Sequence, residues 1–106
     1  NASFWPAGRR MPLFVVSHRH PPERCPAGDP AKGPMLLRRL FPEGAERFGI
    51  TIHAEAMIDG AHTLTMIVDG PDHGKVTEFM APFAQGGSVS VQPANKCETV
   101  VERGTC

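Results

Sequence analysis

The sequence predicts an α+β protein with one four-stranded antiparallel sheet and helices packed on one face of that sheet. Four short segments either form β-rich apolar runs or alternate apolar with polar residues, as strands do. Two other segments space apolar residues as helices do, and they separate the first strand from the second and the third from the fourth. This order is the split βαβ arrangement of the ferredoxin-like βαββαβ plait, whose sheet has the strand order 4-1-3-2.

The first half of the chain supplies one strand and one helix. The strand is predicted over residues 12–20, and Pro21 ends it because proline donates no hydrogen bond to a ladder. A proline-rich loop over 21–34 leads to the first helix, predicted over 35–41. A further short helical turn is expected over 43–48.

The second half supplies three strands and the longer apolar helix. Strands are predicted over 50–58, where alternation is strongest, over 62–69 after an Asp-Gly turn, and over 88–92. Asp72 is a favourable N-cap for the helix between the last two strands. Its core-facing residues follow the spacing i, i+3, i+4, i+7: Val76, Phe79, Met80 and Phe83. A last helical turn is expected over 96–103.

Length and composition limit the class of protein. A chain of 106 residues has room for one domain, which we assign to residues 11–106, with residues 1–10 as an extension or tag-like arm. Eleven basic residues balance eleven acidic ones, and this neutral charge argues against a nucleic-acid partner. No apolar run is long enough to span a bilayer, so no membrane partner is expected. Three cysteines without paired spacing predict free thiols and a cytoplasmic location.

The face of the sheet without helices is expected to be partly apolar. We place Phe14, Val16, Met57 and Ile67 on this open face, together with the histidines that end the first strand. An apolar patch of this kind rarely faces water in a monomer. We therefore expect a homodimer or higher oligomer, in which two sheets meet as a dimeric α+β barrel.

A pair of histidines marks the most distinctive site. His18 and His20 are two residues apart, so both side chains leave the strand on one face, and Cys25 follows in the next loop. Imidazole, thiolate and carboxylate groups together suit zinc, nickel, copper or iron. We expect a transition metal at this strand end, on the open face. The candidate ligands are His18, His20, Cys25, His53, Glu55 and His62.

Each of these residues also has a plainer interpretation, as a solvated strand end, an interior polar pair, a surface residue or an idle thiol. The alternative function is a metal-free barrel enzyme, monooxygenase- or isomerase-like, or a carrier that encloses a small apolar molecule. Its pocket would be lined by Phe14, Val16, Met57 and Ile67. Neither interpretation assigns a catalytic residue, and no nucleotide cofactor is expected because no phosphate-binding loop motif is present.

Four stretches are distinctive when taken together: Met11–Val16, His18–His20, Cys25–Gly28 and Phe79–Phe83. They resemble small bacterial proteins described as domains of unknown function, in the ferredoxin-like and dimeric α+β-barrel group, near the ferredoxin-like nickel-binding proteins. The resemblance covers about residues 11–103. It implies a homodimer or higher oligomer and a bound transition metal, and it carries over no catalytic residue.

Overall fold

The predicted strands form one antiparallel sheet in the computed structural model, which describes residues 11–106. The strands are β1 (Leu13–Arg19), β2 (Thr51–Ile58), β3 (Thr63–Asp69) and β4 (Ser88–Ala94). Their order is β2-β3-β1-β4, which reads 4-1-3-2 from the other edge, so β1 and β3 are the central strands. This α+β arrangement is compatible with a ferredoxin-like fold. The arm expected over residues 1–10 lies outside the described residues.

Within residues 11–106, five short helices connect or follow the strands. They are α1 (Lys32–Arg39), α2 (Pro42–Glu46), α3 (His73–Phe79), α4 (Ala81–Ala84) and α5 (Cys97–Arg103). The predicted loop after β1 contains two single 3₁₀ turns, Pro22–Arg24 and Pro26–Gly28.

Local chemistry explains where these helices begin and end. The prediction of Asp72 as an N-cap is confirmed, because its carboxylate accepts a 2.8 Å hydrogen bond from the Lys75 backbone N–H. Pro82 has no N–H to continue α3, so the helix ends at Phe79 and a separate turn follows. The helix α1 begins three residues earlier than predicted, since the Asp29 carboxylate accepts hydrogen bonds from the first backbone N–H groups there.

The hydrophobic core lies between the helices and one face of the sheet. Val76, Phe79 and Met80 of the α3 region are almost fully buried, as the helical spacing predicts. The sheet contributes these buried apolar residues: Phe14, Val16, Leu64, Met66 and Val68.

The predicted orientation of β1 is wrong. Phe14 lies opposite Val68 and Val16 lies opposite Met66 in the ladder, and these β3 residues face the helices. Phe14, Val16, His18 and His20 therefore lie on the helix-covered face and are buried, not on the open face. The segment Leu13–Val16 is apolar on both faces, so alternation alone does not determine its orientation.

A β-bulge at His53 changes the faces of β2. Ile52 pairs with Val68, but the next paired residue, Ala54, lies opposite Ile67 on the other face. The side chains that follow are reversed relative to an unbroken alternation, so Met57 lies on the helix side, opposite Leu64. The prediction that Met57 belongs to the open face is wrong for this reason.

The open face of the sheet is partly apolar, although Phe14, Val16 and Met57 do not belong to it. Its exposed large residues are Val15, Ile58 and Ile67, with exposed fractions of 36%, 52% and 42%. Small and hydroxyl-bearing residues such as Ala54, Thr65 and Ser90 lie between and beside them. Within residues 11–106, no helix combines the length and the apolar character needed to cross a membrane.

Candidate metal centre

Three side chains with metal-binding atoms meet at the end of β1. His20, Cys25 and His62 each offer one such atom, and the three atoms all lie within 4.8 Å of one another. His20 follows β1 and His62 precedes β3, and the His20 backbone N–H donates a 3.1 Å hydrogen bond to the His62 carbonyl. The antiparallel ladder thus continues one residue past β1, which brings these two histidines together.

The proline-rich loop returns Cys25 to this strand end. Cys25 joins the two 3₁₀ turns, and its backbone N–H donates a 3.2 Å hydrogen bond to the Pro22 carbonyl. Pro22 and Pro26 begin the two turns, where their fixed φ angles suit the helical geometry. The sequence therefore sets a defined path that places a half-buried thiol beside the imidazoles.

The spacing of the two imidazoles matches that of a metal site. Nε2 of His20 and Nδ1 of His62 are 3.3 Å apart. Two nitrogen ligands at about 2.0–2.1 Å from a tetrahedral zinc ion are separated by about 3.3 Å. The pair makes an N–H···N contact in this structure, so an ion bound to both nitrogens would displace the proton that they share.

His20 also has an unsatisfied ring nitrogen. The side chain is only 5% exposed, and its buried Nδ1 has no hydrogen-bond partner among the described residues. An unpaired buried polar group costs about 1–3 kcal/mol, and few native groups are left in that state. This nitrogen is not the Nε2 that faces His62, so a metal ion held through Nε2 would leave it unpaired.

His62 adopts a backbone conformation that disfavours any side chain. Its φ is +49°, whereas every other residue with positive φ in the described chain is a glycine. The left-handed region costs a non-glycine residue about 1–2 kcal/mol. Strain of this kind is concentrated at binding and catalytic sites, where a particular side chain is needed in a particular place.

His18 lies next to the three-residue group without belonging to it. Its Nδ1 donates a 3.0 Å hydrogen bond to the Ser88 carbonyl, which can only accept, so the ring proton is on Nδ1. The ring centroid is 5.6 Å from that of His20 and 5.5 Å from that of Phe83. His18 therefore packs against the cluster from the side of the core.

The electrostatics of the cluster favour neutral imidazoles. Burial lowers the pKa of His18, against the opposing effect of its hydrogen bond to Ser88. Burial also lowers the pKa of His20, and the nearby His18 and His62 lower it further. The lowered pKa values keep both rings neutral at neutral pH. Neutral imidazole is the form that binds a metal, so His20 can act as a ligand at that pH.

We expect the free energy of unfolding of the metal-free protein to fall as the pH drops below about 6.5. In the unfolded chain His18 and His20 take up protons near that pH, while in the folded chain their lowered pKa values keep them neutral. The unfolded state then binds more protons, so stability is lost with decreasing pH, on the order of 1 kcal/mol per pH unit. Urea unfolding at several pH values between neutral and mildly acidic measures this slope, and a flat profile would contradict it.

The other predicted ligands lie elsewhere. His53, at the bulge of β2, makes a 2.8 Å hydrogen bond with the Asp69 carboxylate. Glu55 is an exposed residue of the same edge strand, and neither joins the cluster. All three cysteines are free thiols, as predicted, but Cys97 and Cys106 are exposed near the end of the chain and away from this group.

The four residues predicted to line an apolar pocket do not share one. Phe14 and Val16 are 4% and 1% exposed and form part of the core. Ile67 lies on the opposite face of the sheet, and Met57 is an exposed residue of the edge strand. This pocket prediction was wrong because it depended on the reversed orientation of β1.

The predicted ligands therefore include all three members of the group, but also three residues outside it, and the predicted face of the sheet is wrong. The His-x-His pair and the following cysteine led to the correct strand end, on the helix-covered side. No family model, curated protein or solved structure matches the chain.

Proposed function

We propose that this protein binds one transition-metal ion through His20, Cys25 and His62. The observation that supports the proposal most directly is the convergence of their three ligand atoms within 4.8 Å at a partly buried position. Two imidazoles and a thiolate suit zinc or copper, while magnesium and calcium need the oxygen ligands that this group lacks. The 3.3 Å separation of the His20 and His62 nitrogens and the strained backbone of His62 both support a binding role.

The number of ligands bears on the kind of metal site. Structural zinc sites are closed by four protein ligands, whereas sites with three leave one position for water or another small ligand. The group in this protein has three members among the described residues. The proposed role is therefore reversible binding with an exchangeable position, which suits a metal carrier, a sensor or a metal-assisted reaction.

Cobalt titration of the metal-free protein tests this proposal. Co²⁺ replaces zinc in such sites, and a thiolate ligand gives it a charge-transfer band in the near ultraviolet. We expect saturation at one ion per chain, with the band absent in Cys25→Ser because the only thiolate ligand is removed. His53→Gln is the matched control, since His53 is a histidine of the same sheet outside the cluster. Equal spectra for wild type and Cys25→Ser would refute the proposed ligand set.

We also propose that the open sheet face is covered by a second copy of the chain. Val15, Ile58 and Ile67 present apolar surface there, in a face about 24 by 19 Å by ordinary strand dimensions. Stable interfaces bury about 800 Å² per partner, so a footprint of this size corresponds to the smaller, weaker class. The expected assembly is a dimer that dissociates on dilution.

Sedimentation over a range of micromolar concentrations measures this equilibrium. Ile67→Glu is expected to hold the protein as a monomer, because it places a charge in the middle of the apolar face. Met35→Glu is the matched control, since Met35 is similarly exposed (47% against 42%) but belongs to α1. A monomeric wild type at the highest concentration, or a dimer unaffected by Ile67→Glu, would overturn the proposal.

A further inference from the structure

A groove between α1, α2 and the start of α4 is separate from the metal centre. Its volume is about 470 Å³, within the range of about 300–1,000 Å³ that is usual for small-molecule sites. Gly44 permits the close approach of α2 to α1, because a Cβ there would lie 2.6 Å from the carbonyl oxygens of Arg38 and Arg39. The apolar walls are formed by Met35, Leu36, Phe41, Phe48 and Pro82.

The groove carries an excess of positive charge. Arg38, Arg39 and Arg47 line it against a single acidic residue, Glu43. Within residues 11–106 no carboxylate lies within ion-pair distance of an arginine, so none of these three guanidinium groups is paired. The three cations of the lining exceed its one anion by two charges, and no cation among them is neutralised by an ion pair with the described residues.

Arg39 is fixed in position by neutral groups. Its Nε donates a 2.8 Å hydrogen bond to the Phe79 carbonyl, and one Nη donates more weakly to the Glu78 carbonyl at 3.4 Å. The guanidinium lies 4.6 Å from the centre of the Phe48 ring and 5.2 Å from that of Phe79. A guanidinium has five N–H donors, so several remain for a ligand.

The environment of Arg39 increases its attraction for an anion. Burial lowers its pKa, which means that the cation has lost part of its hydration. Charges interact more strongly where water is partly excluded. The side chain is already ordered by its carbonyl and aromatic contacts, so an anion that binds there pays little entropy to fix it.

We propose that this groove binds a fatty-acid carboxylate, with the carboxylate on Arg39 and the acyl chain along Met35, Leu36 and Phe41. A carboxylate matches the planar donor fork of a guanidinium. Apart from the charged residues, every lining side chain is hydrocarbon or thioether, which suits an alkyl chain and offers no partners to a polar ligand body such as a sugar or nucleoside. Met35 is flexible and can adapt to the chain.

Calorimetric titration with dodecanoate below its micelle concentration tests the inference on the full protein. We expect saturable binding of one dodecanoate per protein molecule. Dodecanol, which lacks the charge, and acetate, which lacks the alkyl chain, should each bind at least tenfold more weakly. The Arg38→Gln/Arg47→Gln variant and Phe41→Glu should each weaken dodecanoate binding at least tenfold, by removing positive charge or by adding negative charge at the groove. Lys96→Gln removes an exposed cation outside the groove and should bind as the wild type does.

The outcomes separate this site from the metal centre. Cys25→Ser should bind dodecanoate with unchanged affinity, because Cys25 is not part of the groove. Equal affinity for dodecanol and dodecanoate would show that only apolar contact is involved, and would overturn the carboxylate assignment. Absence of saturable binding, or unchanged binding in both groove variants, would overturn the site itself.

Discussion

Replacing His62 by glycine is expected to lower zinc affinity by more than about 100-fold, since loss of even an outer-shell partner typically costs 10–100-fold. The same change should alter the free energy of unfolding of the metal-free protein by less than about 1 kcal/mol, because two effects oppose each other. Glycine relieves the left-handed strain at φ +49°, worth about 1–2 kcal/mol. Loss of the 3.3 Å contact leaves Nε2 of the buried His20 without its partner, which costs about 1–3 kcal/mol.

Two measurements on one preparation separate affinity from stability. Competition with a zinc chelator gives the affinity, and urea unfolding of the metal-free protein gives the stability. His73→Gln is the control for loss of a histidine. His73 does not belong to the cluster, and its side chain donates a hydrogen bond to the Val91 carbonyl. If His62→Gly kept wild-type zinc affinity, or if it lost affinity only in proportion to a large loss of stability, His62 would not be a ligand.

The fold followed from the sequence because most local signals agree with the global arrangement. The spacing of Val76, Phe79 and Met80 and the cap at Asp72 predict the same helix, although the spacing continues to Phe83 and the helix itself ends at Phe79. The strand order follows from the order of elements through the rules for split βαβ units. Where several physical constraints coincide in this way, a single sequence is sufficient.

The orientation of the strands was harder to predict. The run Leu-Phe-Val-Val at 13–16 is apolar on both faces, so only its pairing with Val68 and Met66 decides which side is buried. The bulge at His53 has no clear sequence signature, because apolar and polar residues alternate without interruption through this segment. Each of these features reverses a set of side chains, and together they explain both the misplaced histidines and the pocket that did not form.

The sequence predicts every member of the candidate metal-binding group, but it does not separate these members from the other candidate ligands. His20 and Cys25 belong to the motif itself, and His62 follows from the neighbouring strand. Which imidazoles converge depends on details that no spacing specifies, such as the Ser88 carbonyl that binds His18 and the Asp69 carboxylate that binds His53. The arginine groove was missed because Arg38 and Arg39 interrupt an apolar stripe and are typical of a solvated helix face.

Replacing Phe79 by alanine is expected to cost about 3–5 kcal/mol of unfolding free energy, the range for large aromatic residues in cores. Phe79 is 0% exposed and packs edge-on against Phe48, with ring centroids 5.6 Å apart. Its ring also lies beside the Arg39 guanidinium that connects α1 to the end of α3. The substitution therefore removes buried area, an aromatic contact and part of the support for the groove, in a fold whose total stability is about 5–15 kcal/mol.

Urea unfolding of Phe79→Ala and Phe41→Ala measures this difference within one side-chain type. Phe41 is 44% exposed, so its truncation should cost less than about 1 kcal/mol. At low temperature, where Phe79→Ala remains folded, its cobalt affinity should equal that of the wild type because Phe79 does not belong to the metal-binding group. Dodecanoate binding should weaken, since Arg39 loses an aromatic neighbour. Equal losses of stability for the two alanine variants would mean that the core is not centred on Phe79, and the helices would then pack differently on the sheet.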